Sequence, residues 1–312
     1  MKVRIGFGLG TGGFDTGAFA ELVDALEGNG FDSLWMSERL GGPVPDPLIA
    51  LSVAAGRTRR LKLGTSVLVV PGRNPVVLAK ELATVDLLSG GRFLPAFGLG
   101  VADPAEQEAF GVQRGERAAW FDEALGLIRR LWTEDRVTHA GPRFSYQSVS
   151  IGIRPVQSPP DVWLGGRSPS ELRRVGRLGD GWLPSFCTPE EAAAGRAVVE
   201  EAAAGAGRSI DPEHWGALVL YSGGELPERL RSALAARRPG VDPSSVVASG
   251  PDQLRRRLED FVAHRFSKLV VVPVGRVDEW ADHVADLAAA VLDLQTPGRR
   301  QGGEDPVPAV SG

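Results

Sequence analysis

The sequence is short of sulfur, histidine and lysine. It holds one cysteine, Cys187, in 312 residues, which excludes a disulfide framework and any multi-cysteine metal site. Its four histidines, His139, His214, His264 and His283, lie too far apart for a ligand pair such as H-x-x-x-H. Lysine occurs only at positions 2, 62, 80 and 268. The 35 basic residues face 39 acidic ones, a net charge of −4, without the basic stripe of a general nucleic-acid binder. No run approaches the ~18 apolar residues of a membrane span. The start, MKVRIGFGLG, lacks the basic opening, long apolar run and cleavage site of a signal peptide. A cytoplasmic protein with a small-molecule substrate is expected, with neither nucleic acid nor membrane as partner. No G-x-S-x-G elbow, G-x-x-x-x-G-K-[ST] loop or H-E-x-x-H motif occurs, so hydrolysis by a triad or a metal has no supporting motif.

What the chain does have is a strand–helix rhythm. Apolar runs at 3–8, 34–36, 61–70 and 93–97 alternate with helical stripes such as Phe19, Leu22, Val23 and Leu26. Asp46-Pro47 and Asn74-Pro75 each put a capping side chain before a proline suited to the first helical position. The rhythm breaks over 101–115, which reads as polar and irregular. A long helix follows around Phe121–Trp132, then a hairpin over 137–151. It resumes with strands at 162–164, 181–183, 217–220 and 269–272, while 222–250 reads as irregular or partly helical. Eight strands with interleaved helices predict a (β/α)8 TIM barrel with insertions after strands 4 and 7. One domain over 1–295 is expected, and 296–312, rich in Gly, Pro and charge, is expected to be disordered.

In such a barrel the site lies at the C-terminal ends of the strands. Gly8, Gly10 and Gly13 fit G-x-G-x-x-G after strand 1, a dinucleotide signal or a loop that merely lets a ligand approach. Glu38 and Arg39 follow strand 2 and can hydrogen-bond a ring edge or an anionic tail, or form a solvated ion pair on the loop. Ser66 and Val67 at strand 3 allow a flat ring to pack against backbone or merely fill a tapered barrel interior, and Gly98 and Gly100, on either side of Leu99 after strand 4, permit backbone contact with a ligand or a turn into the insertion. Val101 and Trp182 are candidate pocket walls, Trp182 having core filling as its alternative. Gly165, Gly166, Arg167 and Ser168 lead into a helix, and backbone N–H groups, a helix N-terminus and two side-chain donors together suit a phosphate, the alternative being an ordinary capped helix start. Cys187 has no histidine near it in sequence and reads as an inert thiol. A planar cofactor bearing a phosphate is the best reading of these residues.

The segments GFDSLWMSER (30–39), LKLGTSVLVVPGRNPVVLAKELATVDLLSGGRFLPAFGLG (61–100), FDEALGLIRRLW (121–132) and VWLGGRSPSELRRVGRLGDGWLPS (162–185) resemble the luciferase-like monooxygenase superfamily of flavin and deazaflavin enzymes. The resemblance extends to about residue 294. Within the superfamily the chain is most similar to the actinobacterial branch that uses coenzyme F420, an 8-hydroxy-5-deazaflavin. The resemblance implies a non-prolyl cis peptide at Ser66-Val67 behind the central ring, a phosphate loop at Gly165–Ser168, and cofactor contacts at Gly98–Gly100 and at Glu38 and Arg39. It also implies a homodimer. Many relatives carry Asp-His or Glu-His after strand 2, where this chain has Glu38-Arg39. Val101 stands where the deazaflavin-dependent sugar-phosphate dehydrogenases carry a proton-donating Glu. An F420-dependent oxidoreductase is expected, with Glu38 as candidate catalytic residue. The alternatives are an FMN-dependent monooxygenase on the same barrel, a nicotinamide dehydrogenase and a non-catalytic cofactor-binding barrel.

Overall fold

A computed structural model of the chain describes residues 1–9, 16–275 and 277–297. Eight parallel strands are arranged around one axis. Arg4–Leu9 pairs with Ser33–Met36, which pairs with Lys62–Thr65, which pairs with Phe93–Leu94. The third and fourth strands each resume after a break, as Leu68–Val69 and Ala96–Gly98, and these halves pair with each other. Ala96–Gly98 pairs with Trp163–Leu164, and that strand with Gly181–Trp182. Single bridges, Trp182 to Trp215 and Ser185 to Leu218, lead on to Gly216–Ser222. The last strand, Lys268–Pro273, pairs with Gly216–Ser222 on one side and Arg4–Leu9 on the other, so the pairings run round a ring. A helix follows every strand, the order expected of a TIM barrel.

Local chemistry accounts for the element ends. Asp46 accepts hydrogen bonds from the N–H groups of Leu48 and Ile49, and Asn74 from those of Val76 and Val77. Residues 101–115, expected to be irregular, contain the helix Pro104–Phe110, which Asp103 caps in the same way. The cap and the proline outweigh the polar composition there. The expected single strand over 61–70 is split at a cis Ser66–Val67 peptide, and the fourth strand is split at Pro95, which has no N–H to give the ladder. The hairpin is present as Val137–Ala140 against Ser145–Val149. Within 222–250 the chain forms the helices Glu228–Arg237 and Pro243–Val246 and a strand, Val247–Ser249, paired to Leu220–Ser222. Residues 298–312 of the expected disordered tail lie outside the described residues. Thr296, placed in that tail, instead exchanges hydrogen bonds with the Val3 backbone.

Two indoles fill the barrel. Trp35 and Trp163 are buried at 0% and 2% exposure and meet edge to face, ring centroids 6.4 Å apart. Strand glycines make room for them. A Cβ on Gly64 would stand 2.3 Å from Trp35, and one on Gly181 would stand 2.5 Å from Trp163.

The N-terminal end of the barrel is closed by charge. Lys268 Nζ donates to Asp32 at 2.7 Å and Lys62 Nζ donates at 3.1 Å. Burial alone would raise the Asp32 carboxyl, but the two ammonium groups outweigh it and hold the group at about 2. A carboxylate depressed on folding stabilises the native state above its unfolded pKa, and that stability is lost as pH falls through the folded value. The unfolding free energy is therefore expected to drop by about 2 kcal/mol between roughly pH 5 and pH 2 through this group. Asp32→Asn strands a buried ammonium and is expected to cost about 3–5 kcal/mol at neutral pH while flattening that acid limb. Urea unfolding of both proteins across this pH range checks both effects.

Candidate active site

At the C-terminal ends of the strands a cavity of about 790 Å3 opens. Glu38, Arg39, Ser66, Val67, Gly98, Leu99, Gly100, Val101, Gly165, Gly166, Arg167 and Ser168 all line it. Two expected site residues do not. Gly8 lies in the first strand, where a Cβ would stand 2.7 Å from Val272, so its missing side chain serves packing against the eighth strand. Trp182 is buried at 1% exposure, packed on Trp215 and Phe266. Its indole N–H donates to the Gly166 carbonyl at 2.9 Å, so it supports the loop from below and is no cavity wall. Gly10 and Gly13 of the glycine motif lie outside the described residues.

The end of the cavity beside strands 2 to 4 is small and tightly tied. Glu38 is buried at 6% exposure, accepts the Val69 N–H at 2.7 Å and is bound by the Arg73 guanidinium. Burial pushes its carboxyl above the ordinary range, against the pull of Arg73 and of the Val69 N–H. Ser37 donates to the Ser66 carbonyl at 2.7 Å, and the Glu38 N–H donates to the Val67 carbonyl at 3.2 Å. These bonds fix both sides of the cis peptide. Arg39 is paired with Glu106 at 3.0 Å. Arg117 donates to the Val101 carbonyl at 2.7 Å and so fixes the turn after strand 4.

The opposite end is the loop after strand 5. The helix Pro169–Leu178 starts with a reciprocal cap between Ser168 and Glu171. Glu171 Oε2 takes the N–H of Arg167 at 3.0 Å and of Ser168 at 2.9 Å, while the Gly165 N–H belongs to the ladder, on Phe97. Fewer backbone donors are open than the sequence implies. The donors left for an anion are the Gly166 N–H and the Arg167 guanidinium, which among the described residues has no carboxylate in ion-pair reach, while the Ser168 hydroxyl lies 3.2 Å from that of Ser170 and shares a hydrogen bond with it. Burial, and then Arg238, pull the Arg167 guanidinium below its ordinary value. Cys187 lies beside this loop, and burial pushes its thiol up to about 12, so it is inert at neutral pH.

Sequence reading missed Arg237. It lines the cavity from the helix Glu228–Arg237, stacked over the Phe186 ring at 4.4 Å. Among the described residues it too has no carboxylate partner. Nothing local marks it among Arg229, Arg231 and Arg238.

Gly98 gives the tight end a direct test. A Cβ there would stand 2.5 Å from Val67 Cγ2. Gly98→Ala is expected to destabilise the fold by about 1–3 kcal/mol through overpacking, read as a lower urea midpoint at unchanged slope. An unchanged midpoint would show that the Val67 segment yields freely.

The family described as luciferase-like monooxygenase matches residues 1–294. An F420-dependent glucose-6-phosphate dehydrogenase of Beutenbergia cavernae is 33% identical over 288 residues, covering 77% of this chain and 82% of that protein. A protein of the same name from Kineococcus radiotolerans is 32% identical over 193 residues, 59% of this chain and only 56% of its own length. The structure of an F420-dependent secondary alcohol dehydrogenase in complex with an F420-acetone adduct superposes with a TM-score of 0.79 at 18% identity, over 95% of this chain and 100% of that one. That last likeness speaks to the fold alone. No helix among the described residues is long and apolar enough to cross a membrane. With the family matched from residue 1 to 294 and the barrel mouth carrying the cavity, the chain belongs to the luciferase-like monooxygenase family.

Proposed function

We propose that the chain is an F420-dependent oxidoreductase acting on a small organic substrate. The observation that carries this reading is the division of one cavity into two unlike ends. Ser66, Val67, Gly98 and Gly100 make a small-residue face suited to a flat ring, and the Arg167 guanidinium and the Gly166 N–H, next to the Ser168 hydroxyl that is shared with Ser170, suit a phosphate. Relatives named as F420-dependent dehydrogenases support it. When bound, the deazaflavin supplies hydride transfer at C5 and, unlike reduced FMN, does not react readily with oxygen.

The protein's part is to bind, orient and keep water away. Arg167 and Ser168 hold the phosphate, and Arg39, turned by Glu106, faces the ring's polar edge. Both carboxylates in the cavity wall are engaged, Glu171 by the loop amides and Glu38 by Arg73 and the Val69 N–H. Glu38 is the one at the ring end, so proton movement in this reading falls to it.

The test is a side-by-side fluorescence titration with F420, FMN and NADPH. Selective F420 binding is expected, weakened at least about tenfold by Arg167→Ala. Glu38→Gln is expected to retain binding and lose turnover of alcohols, aldehydes or ketones by about a hundredfold. Preference for FMN with oxygen consumption would move the protein to the monooxygenase reading, and tight F420 binding without turnover would favour a cofactor-binding barrel.

We further propose a homodimer through the helices Pro47–Arg57 and Pro75–Ser89, which pack side by side. Ile49, Val53, Val77 and Leu88 are all more than half exposed there and recur at helical spacing, an apolar patch that calls for a partner. Light scattering is expected to give twice the chain mass, and Val53→Arg to give the monomer. A monomeric wild type at micromolar concentration rejects this.

A further inference from the structure

We infer that the substrate is an apolar carbonyl compound or alcohol ending in a carboxylate, which Arg237 receives. The inference rests on the deazaflavin reading, which gives ring and phosphate the cavity wall of strands 2 to 5. The remaining wall comes from strands 6 to 8 and the helix Glu228–Arg237. Leu218, Leu220, Val272 and Val274 line it from the strands, and a sugar would find almost nothing there to hydrogen-bond. Its polar side chains are Ser185 and Arg237.

The helix sets the order of these groups. Leu230, Ala233, Leu234 and Arg237 all line the cavity at the i, i+3, i+4, i+7 spacing of one helical face. That face runs for about 10 Å as hydrocarbon and ends in a guanidinium. Arg237 is held in place by its stack on Phe186 at 4.4 Å, while the neighbouring Arg238 bonds the Phe186 carbonyl and pairs with Glu191. A guanidinium that is exposed to the cavity and has no carboxylate partner among the described residues matches the two-pronged geometry of a carboxylate. An apolar body along Leu230 and Leu234 brings such a group to it.

The probes are decanoate, 1-decanol and glucose 6-phosphate, titrated calorimetrically into F420-loaded protein. Decanoate is expected to bind at least about tenfold more tightly than 1-decanol, and glucose 6-phosphate not to displace it. Arg237→Gln is expected to bring decanoate down to the level of 1-decanol, with F420 affinity within about twofold of wild type, and Arg237→Lys to restore part of the difference. Leu234→Gln is expected to weaken both ten-carbon probes together. Equal binding of decanoate and 1-decanol by the wild type overturns the inference, as does displacement by glucose 6-phosphate. A parallel loss of F420 affinity in Arg237→Gln also overturns it, by giving Arg237 to the cofactor. If F420 does not bind the wild type, the cofactor reading fails by itself, and the decanoate and 1-decanol comparison on the unloaded protein still decides the carboxylate assignment.

Discussion

Trp35 and Trp163 meet edge to face across the barrel axis, seated against strand glycines that have no Cβ to oppose them. Close-packed aromatic filling of this kind leaves no ligand volume in the middle of the barrel. The space that remains lies above the indoles, where the strands end and the loops begin. This is why residues far apart in sequence, such as Glu38, Gly98, Arg167 and Val272 or its neighbours, come to share one wall. The opposite end of the barrel is shut by Asp32 and two lysines, so the ring is anchored below and open above.

Charge around the mouth follows a simple pattern. Glu38 is bound by Arg73, Arg39 by Glu106 and Arg174 by Asp122. Glu171 is occupied by two backbone N–H groups. Arg167 and Arg237 are left over among the charged groups that line the cavity. A chain with a net charge of −4 thereby presents a cationic cavity, because its surplus of carboxylates lies elsewhere. The Arg167 and Arg237 guanidiniums lie close enough to repel each other until something anionic meets them, and that gives the site its chemical direction.

Much of the barrel was legible in the sequence because its signals are local. Asp46-Pro47 and Asn74-Pro75 announce helix starts, and Gly165 to Ser168 sits between a buried strand and a helix. Asp103-Pro104 carries the same start signal, but the polar residues around it hide the short helix it begins. The Val247–Ser249 strand is three residues long and is specified by its neighbour Leu220–Ser222 rather than by its own pattern. Trp182 illustrates a different limit: an aromatic after a strand can wall a pocket or brace the loop beside it, and its indole N–H on Gly166 decides the matter only in three dimensions. Arg237 was invisible for the same reason, since its helix is rich in arginine and only packing separates the inward one from the rest.

The helix that carries Arg237 is joined to the barrel lightly. Leu234 is its one buried side chain, and its tie to the loop after strand 6 is a stacked guanidinium and the Arg238 bonds to Phe186 and Glu191. Burial of one leucine contributes only about 1.5–3 kcal/mol, far less than the apolar stripes that dock the other helices. This segment is therefore the one expected to open at least cost while the ring below it stays intact. The same surface that recognises a guest thus sets how fast it departs, so that tighter recognition at Arg237 trades directly against release.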